Sequence, residues 1–119
     1  MNQKRKDQLL NGITTDVAKY LQRLDKTHHN TCVHSICTAY YALWIFENLN
    51  LDVAESIIIQ GALLHDIGKS RIPYSVINKN GRLTAGEREL INKHPRYGAQ
   101  ILNADNNIRK EVVEIALYH

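Results

Sequence analysis

The sequence has few of the features that would mark it as a membrane or secreted protein. No run of apolar residues approaches the ~20 residues that a transmembrane helix requires, so no membrane span is expected. Residues 1–7 are polar and basic, but no apolar run of signal-peptide length follows them. The two cysteines, Cys32 and Cys37, lie five residues apart in one predicted helix and are expected to be reduced. These absences predict a cytoplasmic protein.

The sequence also lacks strand patterns, internal repeats and low-complexity segments. Its 119 residues suit one domain, and 44% hydrophobic residues are enough for a core. With 15 basic and 12 acidic side chains the net charge is +3, an excess too small to predict a nucleic-acid polymer as partner. Every long segment instead has helical periodicity. This predicts an all-α bundle of about five main helices.

Residues 1–28 are predicted to form an N-terminal amphipathic helix and a loop, ahead of a domain over residues 29–119. Apolar residues recur at steps of three and four residues along this helix, namely Leu10, Ile13, Val17, Tyr20 and Leu24. Such a stripe predicts one buried face, while residues 1–7 are expected to fray. The same face could join a second copy, so a homo-oligomer through this helix is also expected. Residues 26–30 read as a solvated loop containing His28 and His29.

Turn and capping residues place the later helices. A helix over about residues 31–48, capped by Asn30 or Thr31, is apolar on most sides and should be central. Two capping boxes, Asp52 with Glu55 and Thr84 with Glu87, predict helix starts. Gly61 predicts a close backbone approach, and Gly68 a helix C-terminal cap. Pro73 and Pro95 suit the first turns of further helices.

His65 and Asp66 stand side by side at the end of an apolar helix. Burying such a pair is costly unless something pairs with it, and a metal ion would pair with both side chains. By itself the dipeptide more often caps a core helix. Three further histidines lie at predicted helix ends or inward faces, at spacings that let separate helices supply one ligand each: His34, His94 and His119. Imidazole and carboxylate together suit iron, manganese, zinc, nickel or cobalt.

Several motifs occur in a fixed order around these residues. They are HS at 34–35, LHDIGK at 64–69, IP at 72–73, NKNGRLTAGE at 78–87 and HPRYG at 94–98. Together they resemble the HD-GYP branch of the HD-domain metal-dependent phosphohydrolases. Members of this branch are bacterial enzymes that hydrolyse cyclic di-GMP or related cyclic dinucleotides. The resemblance covers about residues 31–119, and the ordered set is far more specific than the His-Asp pair.

The resemblance implies a role for each matching residue. His34 and His65 would bind one metal, Asp66 would bridge two metals, and His94 matches a ligand of the second. His119 would also bind metal, since it matches the first histidine of the family's His-His-Glu stretch. Lys69 matches the lysine that faces the substrate phosphate. The implied cofactors are two divalent ions, iron or manganese, with zinc or nickel as alternatives. Asn30 stands where three-metal members have a glutamate, which favours the two-metal form.

The sequence also departs from the family pattern. The histidine that follows in relatives, the Gly-Tyr-Pro motif and a later metal-binding aspartate do not occur in it. We therefore expect an HD-type bundle that is incomplete at its C-terminus and that hydrolyses cyclic di-GMP poorly or not at all. A non-catalytic signalling module that binds metal or a partner is the alternative. A nucleotide-acting HD phosphohydrolase is a further one, although the stretch 78–87 argues against it.

Overall fold

Helices account for the regular structure of this chain. The computed structural model describes residues 3–49 and 52–119, and within these ranges there are eight α-helices, one 3₁₀ helix and no strand. The all-α prediction is confirmed. The elements are α1 (Gln3–Gly12), α2 (Thr15–Thr27), α3 (His29–Asn48), α4 (Glu55–Leu64), the 3₁₀ helix (Ile67–Arg71), α5 (Tyr74–Ile77), α6 (Ala85–Asn92), α7 (His94–Asn103) and α8 (Lys110–Tyr118).

The N-terminal segment forms two helices rather than one. The Thr14 side chain accepts a hydrogen bond from Val17 N at 3.3 Å and so caps α2, which separates it from α1. Residues 3–7 belong to α1, so the predicted fraying of that part is wrong. Most of the apolar stripe predicted for oligomerisation packs into this chain's own core, since Val17, Tyr20 and Leu24 are buried there. Leu10 is 65% exposed.

The predicted loop over residues 26–30 is wrong. Helix α2 runs to Thr27 and α3 begins at His29, so His28 alone separates them and takes the N-cap position without a side-chain cap. The structural reason is that His28 is buried, 2% exposed, with its Nε2 donating to the Ile72 carbonyl oxygen at 2.8 Å. His29 is exposed as expected, and its Nδ1 lies 2.5 Å from Asp25 Oδ1.

Helix α3 packs against α1, α2 and α4, which agrees with its predicted central position. Its buried face is small and includes Ser35 and Leu43, while Trp44 on the other side is half-exposed. The capping box predicted at Asp52 is absent, because the N-cap of α4 is Ala54, which forms no side-chain cap. A side chain at Gly61 would meet the Ile115 side chain, so the predicted close approach involves a side chain rather than a backbone.

Gly68 does not cap α4, which ends four residues earlier at Leu64. It lies buried within the 3₁₀ helix, and the only described residue with a positive φ is Gly81. A Cβ on Gly68 would overlap the His94 carbonyl oxygen and lie 2.5 Å from Gly98 N. The absence of this Cβ lets the backbone of the 3₁₀ helix pack directly on α7, which brings Asp66 to the start of α7.

Other sequence signals agree with the structure. Glu87 N donates to Thr84 Oγ1 at 3.1 Å and Thr84 N donates to Glu87 Oε1 at 2.8 Å, which confirms the second capping box. Pro73 directly precedes α5, and Pro95 lies in the first turn of α7. Both cysteines are free. None of the helices in the described ranges combines the length and the apolar character needed to cross a bilayer.

Candidate metal centre

Three of the predicted ligands follow the C-terminal end of a helix in the same manner. His65 follows α4, His94 follows α6, and His119 follows α8. In each case Nδ1 donates a hydrogen bond to the carbonyl oxygen three residues earlier: Ala62 at 2.6 Å, Ile91 at 2.7 Å and Ala116 at 2.9 Å. Carbonyl groups at helix ends lack intrahelical partners, so the bond satisfies them and also fixes the ring. Because Nδ1 carries the proton in this tautomer, Nε2 is left as a metal ligand.

Asp66 lies at the centre of these rings and is 4% exposed. Its Oδ1 is 3.2 Å from His94 Nε2 and 3.1 Å from His119 Nε2. Its Oδ2 is 3.2 Å from His65 Nε2 and 3.3 Å from Lys69 Nζ. Each carboxylate oxygen therefore faces a different set of rings.

Two groups of ligand atoms share this carboxylate. One consists of His34, His65 and Asp66, the other of Asp66, His94 and His119, and within each group the ligand atoms lie within 4.8 Å of one another. His34 comes from the early turns of α3 and is exposed, as is His119, whereas His65 and His94 are half-buried. Its ring centre is 6.0 Å from that of His65. A carboxylate between two sets of imidazoles can bridge two divalent ions.

The electrostatics of the cluster favour cations. The Nε2 atoms of His94 and His119 are 3.0 Å apart, and both lie within 3.2 Å of Asp66 Oδ1, so three ligand atoms converge on one point. The C-termini of α4, α6 and α8, which carry partial negative charge, lie at this place, and α7 begins there with His94. Burial alone would raise the pKa of Asp66, but hydrogen bonds from His65 and His94 and the charge of Lys69 hold it well below its usual range. Asp66 is therefore a carboxylate.

His65 responds to the same environment. Desolvation lowers its pKa, but the hydrogen bond and the charge of Asp66 outweigh burial and raise the pKa above its ordinary value. Without a cation, a proton on Nε2 is the next best partner for the carboxylate. A divalent ion would take the place of that proton.

The family described as "HD domain" matches residues 31–119, the same ranges that carry the ligand cluster. The chain belongs to the HD-domain family. The family predicted from the sequence is thereby confirmed. Within this HD domain, all six residues predicted for the site lie in one cluster: His34, His65, Asp66, Lys69, His94 and His119.

Curated relatives cover most of this HD domain. The chain is 34% identical over 102 residues to a cyclic di-GMP phosphodiesterase of Pseudomonas aeruginosa, an alignment that covers 83% of this chain and 24% of the relative. It is 36% identical over 91 residues to the 3'3'-cGAMP-specific phosphodiesterase 2 of Vibrio cholerae, covering 75% of this chain and 17% of that one. With the cyclic di-GMP phosphodiesterase response regulator RpfG of Xanthomonas campestris it shares 42% over 64 residues, covering 53% and 17%.

The chain thus spans about a quarter or less of the length of these relatives. No solved structure matches it significantly.

Two features of this HD-domain site were not predicted from the sequence. The first is the set of carbonyl partners of the rings, although a histidine placed just past a helix end signals such a bond. The second is the contact between Gly68 and Gly98, which depends on how two helices pack and leaves no local signal.

Proposed function

We propose that this HD domain is a metal-dependent phosphohydrolase of the HD-GYP type that hydrolyses a phosphodiester bond of a cyclic dinucleotide, with cyclic di-GMP as the expected substrate. The observation that carries the proposal is the carboxylate of Asp66, which lies between two groups of imidazole ligands. The relatives, which are named as cyclic di-GMP and cGAMP phosphodiesterases, support the substrate class.

The residues of the cluster fit two divalent ions. His34 and His65 would hold one ion, His94 and His119 the other, and Asp66 both. Such a pair of ions, when bound, polarises a phosphoryl oxygen and lowers the pKa of a bound water. The hydrogen bonds of three rings to backbone carbonyl groups keep each Nε2 directed at the centre. The rings therefore need little reorganisation when the ions bind.

Lys69 supplies the remaining charge of the site. Its Nζ lies 3.3 Å from Oδ2 of Asp66, the residue that precedes the 3₁₀ helix. The Lys69 side chain is partly exposed. A cation held there can contact a phosphoryl oxygen on which charge develops in the transition state. Lys69 is therefore the residue we assign to the substrate phosphate.

Donor chemistry limits which ions are expected. The ligand set contains imidazole and carboxylate but no sulfur, which suits iron and manganese, while zinc and nickel compete for the same ligands. Elemental analysis of protein purified without chelator should find up to two such ions per chain. A cytoplasmic location remains part of the proposal and agrees with the two free cysteines.

The test of catalysis uses single-turnover conditions, because turnover by the 119-residue chain is expected to be slow. Metal-loaded protein in excess over labelled cyclic di-GMP should form the linear dinucleotide in the presence of Mn²⁺ or Fe²⁺. Asp66→Asn should abolish product formation, whereas Asp52→Asn, at an exposed position, should leave it unchanged. Protein that binds two ions and forms no product would instead support the non-catalytic, metal-binding alternative. Protein that binds no ion would refute both.

A further inference from the structure

The outward side of α3 carries large apolar side chains, whereas its inward side carries mostly small ones. The buried residues of this helix are Cys32, Ser35, Ala39 and Leu43. Tyr41 is 64% exposed, Trp44 49% and Ile45 47%. Aromatic side chains contribute most to the burial of apolar area, so a helix that packs only inward would carry them on its inward side. A large apolar surface of α3 is therefore left outside the core of this chain.

The exposed residues of α3 have the spacing of a helix-packing face. Steps of four, three and four residues connect four exposed residues, which we call the α3 outer face: Cys37, Tyr41, Trp44 and Asn48. Val33 and Ile45 are exposed beside it. This is the spacing at which the side chains of one helix pack along a second helix. The α3 outer face therefore fits an α-helix as its partner.

Charge is almost absent from α3. Residues 29–46 contain no Asp, Glu, Lys or Arg. The one such residue of the helix, Glu47, forms an ion pair with Arg5 of α1 at 3.1 Å. A helix side that faces water normally carries charged residues, as α2 does with Lys19, Arg23 and Lys26. The α3 outer face therefore suits an uncharged partner surface.

The order of side chains along the α3 outer face is symmetrical. A short side chain comes first, two aromatic ones follow, and a second short one ends the face. An antiparallel copy of α3, related by a two-fold axis between Tyr41 and Trp44, would place aromatic rings beside aromatic rings and Cys37 beside Asn48. A two-fold interface requires a surface that complements itself in this way. Aromatic pairs also contribute free energy beyond the area that they bury.

The metal centre restricts how two copies can pair. His34 is exposed one turn before Cys37 on α3. A parallel pair would place His34 of one copy beside His34 of the other, and two cation sites at that distance repel each other. In the antiparallel pair, Asn48 of the second copy lies opposite Cys37, so the second α3 ends about 4–5 Å before His34. This arrangement leaves the metal centre open.

The size of the exposed surface sets the expected strength of pairing. Tyr41 and Trp44 together expose roughly 200 Å², since an aromatic side chain offers about 150–250 Å². Val33, Ile45 and Leu49 are each about half exposed and add to this area. The total stays below the ~800 Å² that each partner buries in a standard stable complex. A dissociation constant in the micromolar range is therefore expected.

We infer that the α3 outer face is the interface of a homodimer, in which two copies of α3 pack antiparallel about an axis between Tyr41 and Trp44. The inference does not depend on the proposed function. It moves the expected contact away from the N-terminal stripe, most of which is buried within the chain.

Sedimentation at increasing protein concentration tests the interface. The wild-type chain should pass from monomer to dimer in the micromolar range. Trp44 is the only tryptophan, so its emission should shift to shorter wavelength over the same range. Tyr41→Arg should weaken the dimer at least about thirtyfold, the effect of losing a hot-spot residue. Tyr74→Arg on α5 is the matched control, because Tyr74 is equally exposed, and it should dimerise like the wild type.

Three results would overturn the inference. The first is a wild-type chain that stays monomeric at high micromolar concentration. The second is equal dimerisation of Tyr41→Arg and Tyr74→Arg. The third is a dimer that is lost in Leu10→Arg and kept in Tyr41→Arg, because this result would assign the contact to α1. Both tyrosine variants should keep the wild-type free energy of unfolding, measured where the chain is monomeric, since both side chains are exposed.

Disulfide formation tests the orientation without weakening the interface. Asn48→Cys introduces a thiol opposite Cys37 of the second copy, so mild oxidation with oxidised glutathione should give a covalent dimer. The further change Cys37→Ser should abolish it. The wild type should form no covalent dimer, because the two Cys37 residues would lie about 16 Å apart along the helix axis, beyond the ~7 Å between Cα atoms that a disulfide spans. A covalent wild-type dimer through Cys37, or none with Asn48→Cys, would contradict the antiparallel pair.

Discussion

Substitution of Gly68 by alanine should damage one half of the metal centre selectively. The new Cβ would overlap the His94 carbonyl oxygen and lie 2.5 Å from Gly98 N, whereas side-chain carbons essentially never approach closer than 3.0 Å. Both neighbours are backbone atoms, so α7 has to move away from the 3₁₀ helix by on the order of 1 Å, a misplacement that can cost about a hundredfold in catalysis. Because His94 is the first residue of α7, this movement should lengthen the 3.2 Å distance between His94 Nε2 and Asp66 Oδ1.

The group formed by His34, His65 and Asp66 contains no residue of α7, so it should persist when α7 moves. Titration of metal-free Gly68→Ala with Co²⁺, followed by its absorption spectrum, should therefore show one tight site instead of two. Overpacking should also lower the free energy of unfolding by roughly 1–3 kcal/mol.

Gly86→Ala is the matched control for this substitution. No atom lies within 4 Å of the Cβ it would add, and Gly86 is in the first turn of α6. This variant should bind two ions and gain a few tenths of a kcal/mol, up to about 1 kcal/mol, in stability. Two tight sites with unchanged affinity in Gly68→Ala would refute the role that we assign to the backbone contact.

Other perturbations test the remaining parts of the structure. Asp66→Ala should lose most bound metal by elemental analysis, and retention of two ions would overturn the ligand assignment. Thr84→Ala removes the N-cap of α6 and should lower the free energy of unfolding in urea by about 1 kcal/mol; no change would contradict the capping box. Asp105 has a pKa lowered to about 2, first by the hydrogen bond from Tyr20, so its stabilising effect is present above its ordinary pKa and lost as pH falls towards 2. Carboxyl NMR of Tyr20→Phe should show this pKa raised towards 3.8, and an unmoved midpoint would count against the bond. Self-association stays a prediction, which light scattering at high micromolar concentration would contradict if the chain is a monomer.

The fold was predicted well wherever local chemistry decides the structure. The capping box at Thr84, the prolines before α5 and within α7, and the turn at Gly81 depend on neighbours a few residues away. The failures share a different cause. His28 reads as solvated because polar residues surround it in sequence, but its ring lies under the distant segment that contains Ile72.

The sequence predicted the ligand residues of the candidate site but not the backbone packing that holds them together. His34, His65, Asp66, His94 and His119 stand out as residue types at helix ends, and the family resemblance gave each a role. The packing that brings them together depends on contacts between segments about thirty residues apart, such as Gly68 on α7. No periodicity in the sequence reports such a contact. Gly68 was therefore interpreted by its commonest local role, that of a helix cap.

The way in which this fold places its ligands makes a cation part of its stability as well as of its chemistry. Helices α4, α6 and α8 end at the same point, and the histidine that follows each one donates from Nδ1 to one of the last carbonyl groups of that helix. The C-termini of α4, α6 and α8 and a buried carboxylate would repel one another without positive charge between them, and the N-terminus of α7 at His94 adds some of that charge. Protons on the rings and the charge of Lys69 can supply part of that charge, as the raised pKa of His65 indicates. The two divalent ions that we propose would supply it more completely, and any agent that binds only the folded state stabilises that state. The geometry that directs the Nε2 atoms to one point therefore predicts that divalent ions, bound as we propose, raise the free energy of unfolding of this domain.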